Sequence, residues 1–421
     1  MNIGFDVSVL NVAKAGVWNY HFHLLRALLK IVPAGDKLIL IDDPATHGRQ
    51  GVHEVVGDLL NERASIRGLS GLRHRRLSRM PALQDSFVLP LTQRVDGLLE
   101  RPWEWAATTM RKRQFATRLD DVDVFHASDV LNLRIPGAAA VTTIHDLTSL
   151  LFPEYHTAEN IALLAEKYRF AQEEAEIVIA ISQSTREDIV KYLGIEPERV
   201  AVIAYGCDPR FHPLAADEVR HGLNKWGLAP GNFLLYVGTI EPRKNLVRLL
   251  EAYAEARGMF NAPRPQLVLA GAIGWKAAEF LQRMEALGLG DEVHLIGPVA
   301  SVDLPVLYNG AMAMVYPSLY EGFGLPPLEA MASGTPVITS RVSSLPEVVG
   351  DAAVLIDPRD SGDLAQAIVN VASDARLRRH LRTSGLDRAK LFTWEKTALE
   401  TLAVYRQAIA RTLPRSGGAL G

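Results

Sequence analysis

Ser318-Leu319-Tyr320-Glu321-Gly322-Phe323-Gly324-Leu325-Pro326-Pro327-Leu328-Glu329 is the stretch on which the reading of this chain turns. A short apolar run, Ala313–Pro317, precedes it, and the pattern Pro326–Ser333 that follows is helical. The stretch is therefore a strand-to-helix joint. Gly322 and Gly324 let a backbone approach a ligand closely and adopt conformations that other residues avoid. A proline suits the first helical turn, where its missing N–H would have gone unpaired. The loop thus offers backbone N–H groups at a helix N-terminus, a natural seat for a phosphate. An ordinary βα turn, with Glu329 merely favouring the helix dipole, is the plain alternative.

Working outward, the same alternation recurs. Phe233–Ile240, Gln266–Gly271, Val293–Gly297, Ala313–Pro317, Pro336–Ser340 and Ala353–Ile356 read as short buried strands. Helical patterns at Lys244–Ala256, Trp275–Leu287, Val302–Ala311, Pro326–Ser333 and Asp363–Val371 separate them, which implies a doubly wound parallel sheet. Upstream, Asn2–Leu10, Lys37–Ile41, Asp123–Ala127, Ala138–His145, Ile177–Ser182 and Val200–Tyr205 suggest a second such sheet, with helices at Gly16–Leu29 and Glu159–Ala175. Ser184-Thr185-Arg186-Glu187 matches a capping box for a helix reaching Leu193, with Gly194 as its stop. Prolines and glycines in Gly206–Asn232 mark the boundary between the halves.

A chain of 421 residues suits two domains. Its 48% hydrophobic and 22% charged residues are those of a soluble enzyme, and a net charge of -3 argues against nucleic acid as a partner. The single cysteine, Cys207, excludes a disulfide framework and a cysteine-rich zinc site, in keeping with a reducing, cytoplasmic setting. The N-terminus reads as a first strand and not as a signal peptide, and no apolar run is long enough to span a membrane. Between Arg63 and Arg118 twelve basic residues face four acidic ones, so this window carries +8 and the remainder -11. Aromatic and apolar residues such as Trp103 and Trp105 are interleaved. Two readings stand: a solvated insert, or a segment drawn to an anionic membrane surface.

In open α/β sheets ligands sit beyond the carboxyl ends of the strands. Those ends carry His145-Asp146, Gly238-Thr239-Ile240-Glu241-Pro242-Arg243-Lys244-Asn245, Gly271–Trp275, Gly297-Pro298-Val299 and the glycine loop. Most fall in the C-terminal half, which makes that half the ligand holder. Arg243 and Lys244 could clamp a diphosphate, Arg bidentately and Lys as a point charge. A lone pair of cations is more often a surface feature, and a lone His145 a structural histidine. Asp146 could simply cap a turn.

The spacing Glu321-x7-Glu329 with Gly-Phe-Gly-Leu inside it resembles the retaining glycosyltransferases of family four, in particular their bacterial mannosyltransferase-like members. Tyr236-Val237-Gly238-Thr239 with Glu241–Asn245, Glu329-Ala330-Met331-Ala332-Ser333-Gly334-Thr335-Pro336-Val337, His145-Asp146-Leu147 and Ile181-Ser182 with Ser184 extend the likeness, which covers about Asp123 to Pro358. The resemblance implies a GT-B fold, two Rossmann-like doubly wound domains facing each other across a cleft. It implies an acceptor-binding domain, placed over 1–208, and a nucleotide-sugar-binding domain, placed over 209–392; the basic insert 63–118 in the first is not covered by the likeness. A helix at 393–412 would return to the first domain and a flexible tail would occupy 413–421.

The resemblance also implies roles. Arg243 and Lys244 would neutralise the donor diphosphate, while Glu321 and the amides of Gly322, Phe323, Gly324 and Leu325 hold the transferred sugar. Glu329 would bind the ribose hydroxyls and Val299 the base, with Gly238 in the donor loop and His145 beside the reacting sugar. Gly16 and Asp146 would lie on the acceptor side. The Arg/Lys pair can take the place of a divalent metal, so metal-independent transfer is expected, with no tightly bound cofactor. The likeness favours GDP-mannose as donor, a UDP-sugar being the other possibility, while the basic, aromatic-containing segment suggests a glycan or lipid-linked glycan as acceptor in surface polysaccharide or glycolipid assembly. That chemistry belongs at the inner face of the cytoplasmic membrane. Nothing in the sequence assigns an oligomeric state. Two rivals keep a Rossmann-type fold. A sugar-nucleotide epimerase or phosphorylase is one. An NAD(P)-dependent oxidoreductase is the other, and it lacks the Gly-x-Gly-x-x-Gly that should follow an early strand.

Overall fold

The computed structural model describes residues 1–11, 16–42, 64–68, 116–117, 119–260 and 264–412. The chain forms two compact units, each built on one parallel sheet. The first comprises Met1–Ala180, Arg186–Ile203 and Glu395–Gly421; the second comprises Ile181–Thr185 and Ala204–Trp394.

The first unit holds β1 (Asn2–Asp6), β2 (Lys37–Asp42), β3 (Ala64–Gly68), β4 (Val124–Ala127), β5 (Ala139–Ile144), β6 (Ile177–Ala180) and β7 (Val200–Val202). They lie in the order β3-β2-β1-β4-β5-β6-β7, and every pairing is parallel. The second unit holds β8 (Phe233–Val237), β9 (Gln266–Ala270), β10 (Val293–Gly297), β11 (Ala313–Tyr316), β12 (Val337–Ser340) and β13 (Val354–Ile356). Their order is β10-β9-β8-β11-β12-β13, again all parallel. In both sheets the strand order reverses beside the first strand, at β1/β4 and at β8/β11. Those reversals are where an open α/β sheet leaves a crevice for ligand.

Strands covered by helices on both faces read as continuous apolar runs. Accordingly β8, Phe-Leu-Leu-Tyr-Val, and β11, Ala-Met-Val-Tyr, are buried along their whole length. Several strands stop short of the expected span because their last residues already belong to the loops that follow. Asn2–Leu10, for example, divides into β1 and a turn of 3-10 helix at Ser8–Asn11.

Several elements were not anticipated, among them the helices Ala216–Leu223 and Leu345–Val349, β3 and the helix Ala375–Ala389. β3 lies inside the basic window as a five-residue strand that pairs with β2. The helix Ala375–Ala389 has a broad arginine-rich face and a narrow buried stripe of Leu381, Gly385 and Ala389, which blurs its periodicity. Gly385 sits where a Cβ would come within 3.3 Å of Met331, so the glycine serves close helix packing. The capping box is also displaced. The helix begins at Gln183, and the Ser182 hydroxyl accepts from the Thr185 amide at 3.0 Å. The amides of Gln183 and Ser184 donate to the Glu347 carboxylate, 2.8 Å each. Gly194 follows the helix with φ of 64° and provides the stop.

The last helix, Trp394–Thr412, packs with the first unit from Glu395 onward. The buried Tyr405 hydroxyl is hydrogen-bonded to Nδ1 of His126 at 2.7 Å, and Arg411 donates to the carbonyls of Glu176 and Glu198. No helix among the described residues is long and apolar enough to cross a membrane. The interior of the basic window, including Trp103 and Trp105, lies outside the described residues.

Candidate active site

The site of the second unit is assembled at the β8/β11 crevice. After β8, Gly238 takes φ of 147° and its amide donates to Ala270, 2.9 Å away. A Cβ on Gly238 would stand 2.7 Å from the Tyr236 hydroxyl, so this turn admits only glycine. Glu241 is extended, a single 3-10 turn covers Pro242–Lys244, and Asn245 is left-handed with φ of 61°. The Asn245 amide group donates to the Pro317 carbonyl (3.0 Å) and the Pro358 carbonyl (2.7 Å), while the Leu319 amide donates to the Arg243 carbonyl at 2.9 Å. The loop after β8 is thereby fastened to the loop after β11.

That fastening brings Arg243, Lys244 and Glu321 together. Lys244 Nζ donates to Glu321 Oε1 at 2.6 Å and to the Tyr316 hydroxyl at 2.8 Å. Arg243 Nη1 lies 2.9 Å from Glu321 Oε2, and Nη2 donates to Glu241 Oε1 at 2.8 Å. Glu241, Lys244 and Glu321 are each less than 10% exposed. Buried charges persist only when paired and hydrogen-bonded. Here two cations meet two carboxylates. Burial pushes the Glu321 carboxyl up, but Arg243 and then Lys244 outweigh it and hold the group down at about 2. Burial and the adjacent Arg243 lower Lys244, with Glu321 and Glu241 opposing. The cations expected to await a diphosphate are thus already engaged by carboxylates. The neutralising role of Glu241 had no signal in the sequence beyond adjacency.

The glycine loop is held by its carbonyls. The Ser344 hydroxyl donates to the carbonyls of Glu321 and Phe323, 2.8 Å each, and the Thr185 hydroxyl to that of Gly322 at 3.3 Å. Gly324 caps the helix Leu325–Ala332 with φ of 110°, and prolines follow in its first turn. No acceptor among the described residues takes the backbone N–H groups of Gly322, Phe323, Gly324 or Leu325. The Phe323 ring is buried against Tyr205 and Phe392, with centroids at 5.0 and 5.8 Å. Phe323 therefore shapes the loop from below and offers a ligand its backbone alone.

Glu329 lies in the second turn of that helix with other partners. The Tyr308 hydroxyl donates to its Oε2 at 2.8 Å. Burial raises its pKa to about 7; the Tyr308 hydrogen bond works against the shift and Asp208 adds to it. Val299 follows β10 and is partly exposed, two strands from β8.

In the first unit His145 follows β5, beside the β1/β4 reversal. Its ring meets Tyr20 edge-on at 5.0 Å, and its Nε2 is 3.9 Å from Asp129 Oδ2. Burial lowers its pKa to about 4, with Asp146 opposing, so the imidazole is neutral at neutral pH. Asp146 Oδ1 accepts from the amide (2.9 Å) and hydroxyl (2.6 Å) of Thr148 and so caps the turn that follows β5. Gly16 opens the helix Gly16–Ile31, exposed and with nothing within 4 Å of a built Cβ. The turn before it, with Lys14, lies outside the described residues.

Two family models match this chain: Glycosyl transferases group 1 over residues 224–388, and Glycosyltransferase Family 4 over residues 66–211. The O-antigen chain mannosyltransferase B of Escherichia coli is 36% identical over 267 residues, which are 63% of this chain and 70% of that protein. The chain belongs to family four of the glycosyltransferases. It is a glycosyltransferase, and neither the oxidoreductase nor the epimerase or phosphorylase reading is favoured. The serotype-specific mannosyltransferase WbdA of Escherichia coli is 32% identical over 280 residues, 64% of this chain but only 34% of that longer protein. Among solved structures, Anabaena Alr3699/HepE in complex with UDP and glucose superposes with a TM-score of 0.67 at 19% identity, covering 96% of this chain and 100% of that one. At that identity the likeness speaks for the fold alone, and the fold class is GT-B.

Proposed function

We propose that this glycosyltransferase moves a hexosyl group, with mannose favoured, from a nucleoside diphosphate donor to a glycan or lipid-linked glycan, with retention and without a divalent metal. The observation that carries the reading is the Arg243–Lys244–Glu321 cluster at the β8/β11 crevice, beside the unclaimed amides of the Gly322–Leu325 loop.

Breaking the sugar–phosphate bond places positive charge on the anomeric carbon and added negative charge on the departing diphosphate. Arg243 and Lys244 would turn toward the diphosphate as it enters. Glu321, released in part from their hold, would accept from hydroxyls of the sugar, and the loop amides would complete the seat. Such prepositioned dipoles and charges stabilise a leaving group directly, each donor being worth about 10²–10³ in rate. Glu329 would take the ribose hydroxyls and the Val299 main chain would meet the base. The neutral His145 would lie beside the reacting sugar. For retention, the acceptor hydroxyl would attack from the face the phosphate leaves, with that phosphate taking its proton.

The mannosyltransferase relatives support mannose and so GDP-mannose, with a UDP-sugar as the other donor. The O-antigen relative supports an acceptor of the surface-polysaccharide kind, and its handling at the inner face of the cytoplasmic membrane is part of the same proposal. Peripheral contact through residues 63–118 belongs to the same proposal. The division of labour is an acceptor-binding domain over 1–208 and a donor-binding domain over 209–392.

The test is a thermal-shift screen against GDP, UDP, ADP, NAD and their common sugar conjugates, with EDTA present throughout. A ligand at 100 times its Kd adds about 2.7 kcal/mol. Selective stabilisation by one nucleoside diphosphate, lost in Glu329→Ala and Arg243→Ala, is the expected result. Stabilisation by NAD, or a requirement for metal, would overturn the reading. The anomeric configuration of the product, read by NMR, decides retention.

A further inference from the structure

The carboxyl ends of β1, β4 and β5 carry a buried polar cluster that the reaction above engages only through His145. Lys167, on the helix Ala158–Glu173, is 1% exposed, and its ammonium touches Asp129 Oδ1. Asp129 follows β4, and its other oxygen, Oδ2, lies 3.9 Å from His145 Nε2. The three groups stand in line: cation, carboxylate, imidazole. A carboxylate this close to a histidine favours the imidazolium. An ammonium on its second oxygen cancels that pull.

We propose that Lys167 is a positioning residue that neutralises Asp129 and so keeps the imidazole of His145 uncharged beside the sugar being transferred. The inference rests on the place given to His145 above. Positive charge develops on the anomeric carbon during transfer, and an imidazolium beside it would oppose the reaction, whereas a neutral ring does not.

The surrounding groups fit this arrangement. Burial lowers Lys167 to about 7 against the opposing carboxyl group of Asp6 on β1, so its ammonium is complete near pH 4, where His145 titrates, and half lost at neutral pH. Asp6 itself is raised to about 6 by burial, against hydrogen bonds from Ser128 and Ser8. His21 is driven down by burial and His145, and His126 to about 3 by burial and Lys167, so both rings are neutral. Asp146 is the remaining acid beside His145, and it is engaged by Thr148. Burial therefore makes the His145 ring neutral, and the Lys167 ammonium on Asp129 keeps that carboxylate from opposing it.

The experiment titrates the His145 imidazole by NMR in the full-length protein between about pH 3.5 and 7.5, with His145→Gln assigning the resonance. Lys167→Met should raise the His145 midpoint by about 1–3 pH units. Lys167→Gln, which keeps a donor to Asp129 but no charge, should raise it likewise if the methionine variant fails to fold. Lys167→Arg and the double variant Asp129→Asn/Lys167→Met should return the midpoint to the wild-type value. An unchanged midpoint in either folded, charge-removing variant overturns the proposal. Turnover of His145→Ala is measured alongside. Unimpaired transfer there refutes the catalytic place of His145 and leaves the charge balance to be judged by the titration.

Discussion

Replacing Glu329 by glutamine should make the protein more stable above neutral pH while weakening its grip on nucleotide. The Glu329 pKa rises from the ordinary 4.5 to about 7 in the folded chain. Between those values the native state still holds a proton that the unfolded chain has released, so stability falls as pH rises through that window. A shift of this size corresponds at most to about 3 kcal/mol above pH 7. Glu329 is only partly buried, so solvent reduces the cost to about 1–2 kcal/mol. Glutamine does not titrate, yet its carbonyl can still accept from the Tyr308 hydroxyl. Glu329→Gln should therefore unfold about 2–8 °C higher than the wild type at pH 8, at ~2–4 °C per kcal/mol for a unit of this size. Near pH 4.5 the two should coincide. The same change removes the charged acceptor proposed for the ribose, worth about 1.5–3 kcal/mol, so nucleoside diphosphate should bind about 10–100-fold more weakly at pH 8. Thermal unfolding at the two pH values and calorimetric titration with GDP or UDP measure both effects. A variant destabilised equally at both pH values would refute the reasoning, because the carboxylate would then carry no penalty for its charge.

Tyr308→Phe removes the hydrogen bond that counteracts the rise of Glu329, so the pH midpoint of nucleotide binding should move up and stability should drop by about 1 kcal/mol. Gly324→Ala must hold φ of 110° with a Cβ 2.8 Å from Leu345 Cδ2. It should cost about 1–3 kcal/mol and abolish the thermal shift produced by nucleotide. Arg243→Ala should lower transfer by about 10²–10³, while EDTA leaves the wild-type rate unchanged; a rate restored by added magnesium would count against the leaving-group role of Arg243.

Much of the second unit was legible before folding. Its strands are apolar on both faces, and its loops carry glycines and prolines at the joints, so local pattern and tertiary position agree. The grouping of Arg243, Lys244 and Glu321 was legible as three strand-end residues on adjacent βα loops. Their mutual engagement was not. Glu241 entered only as part of the Glu241–Asn245 likeness, with no role of its own, and Tyr308 and Ser344 carry no motif at all, because their roles depend on what faces them across 21 to 23 residues of chain. In the first unit Lys167 falls within the expected helix without being singled out, and only packing turned it inward to Asp129. The helix Ala375–Ala389 was hidden because dense arginine masks the periodicity that signals a helix, and β3, Ala-Ser-Ile-Arg-Gly, because so short and mixed a run carries no strand signal.

The sequence by itself determined the class of this protein: parallel α/β units, a glycine loop at a helix N-terminus, two cations one loop away, and a family resemblance that rests on those residues. Such features are local, written within a few residues by backbone stereochemistry and hydrophobic period. Tertiary structure decided the electrostatics. Whether Glu321 is ionised, Glu329 half-protonated near neutral pH or His145 neutral depends on burial and on partners distant in sequence, and each of those arises only when the sheet order sets β8 against β11, and β1 against β4.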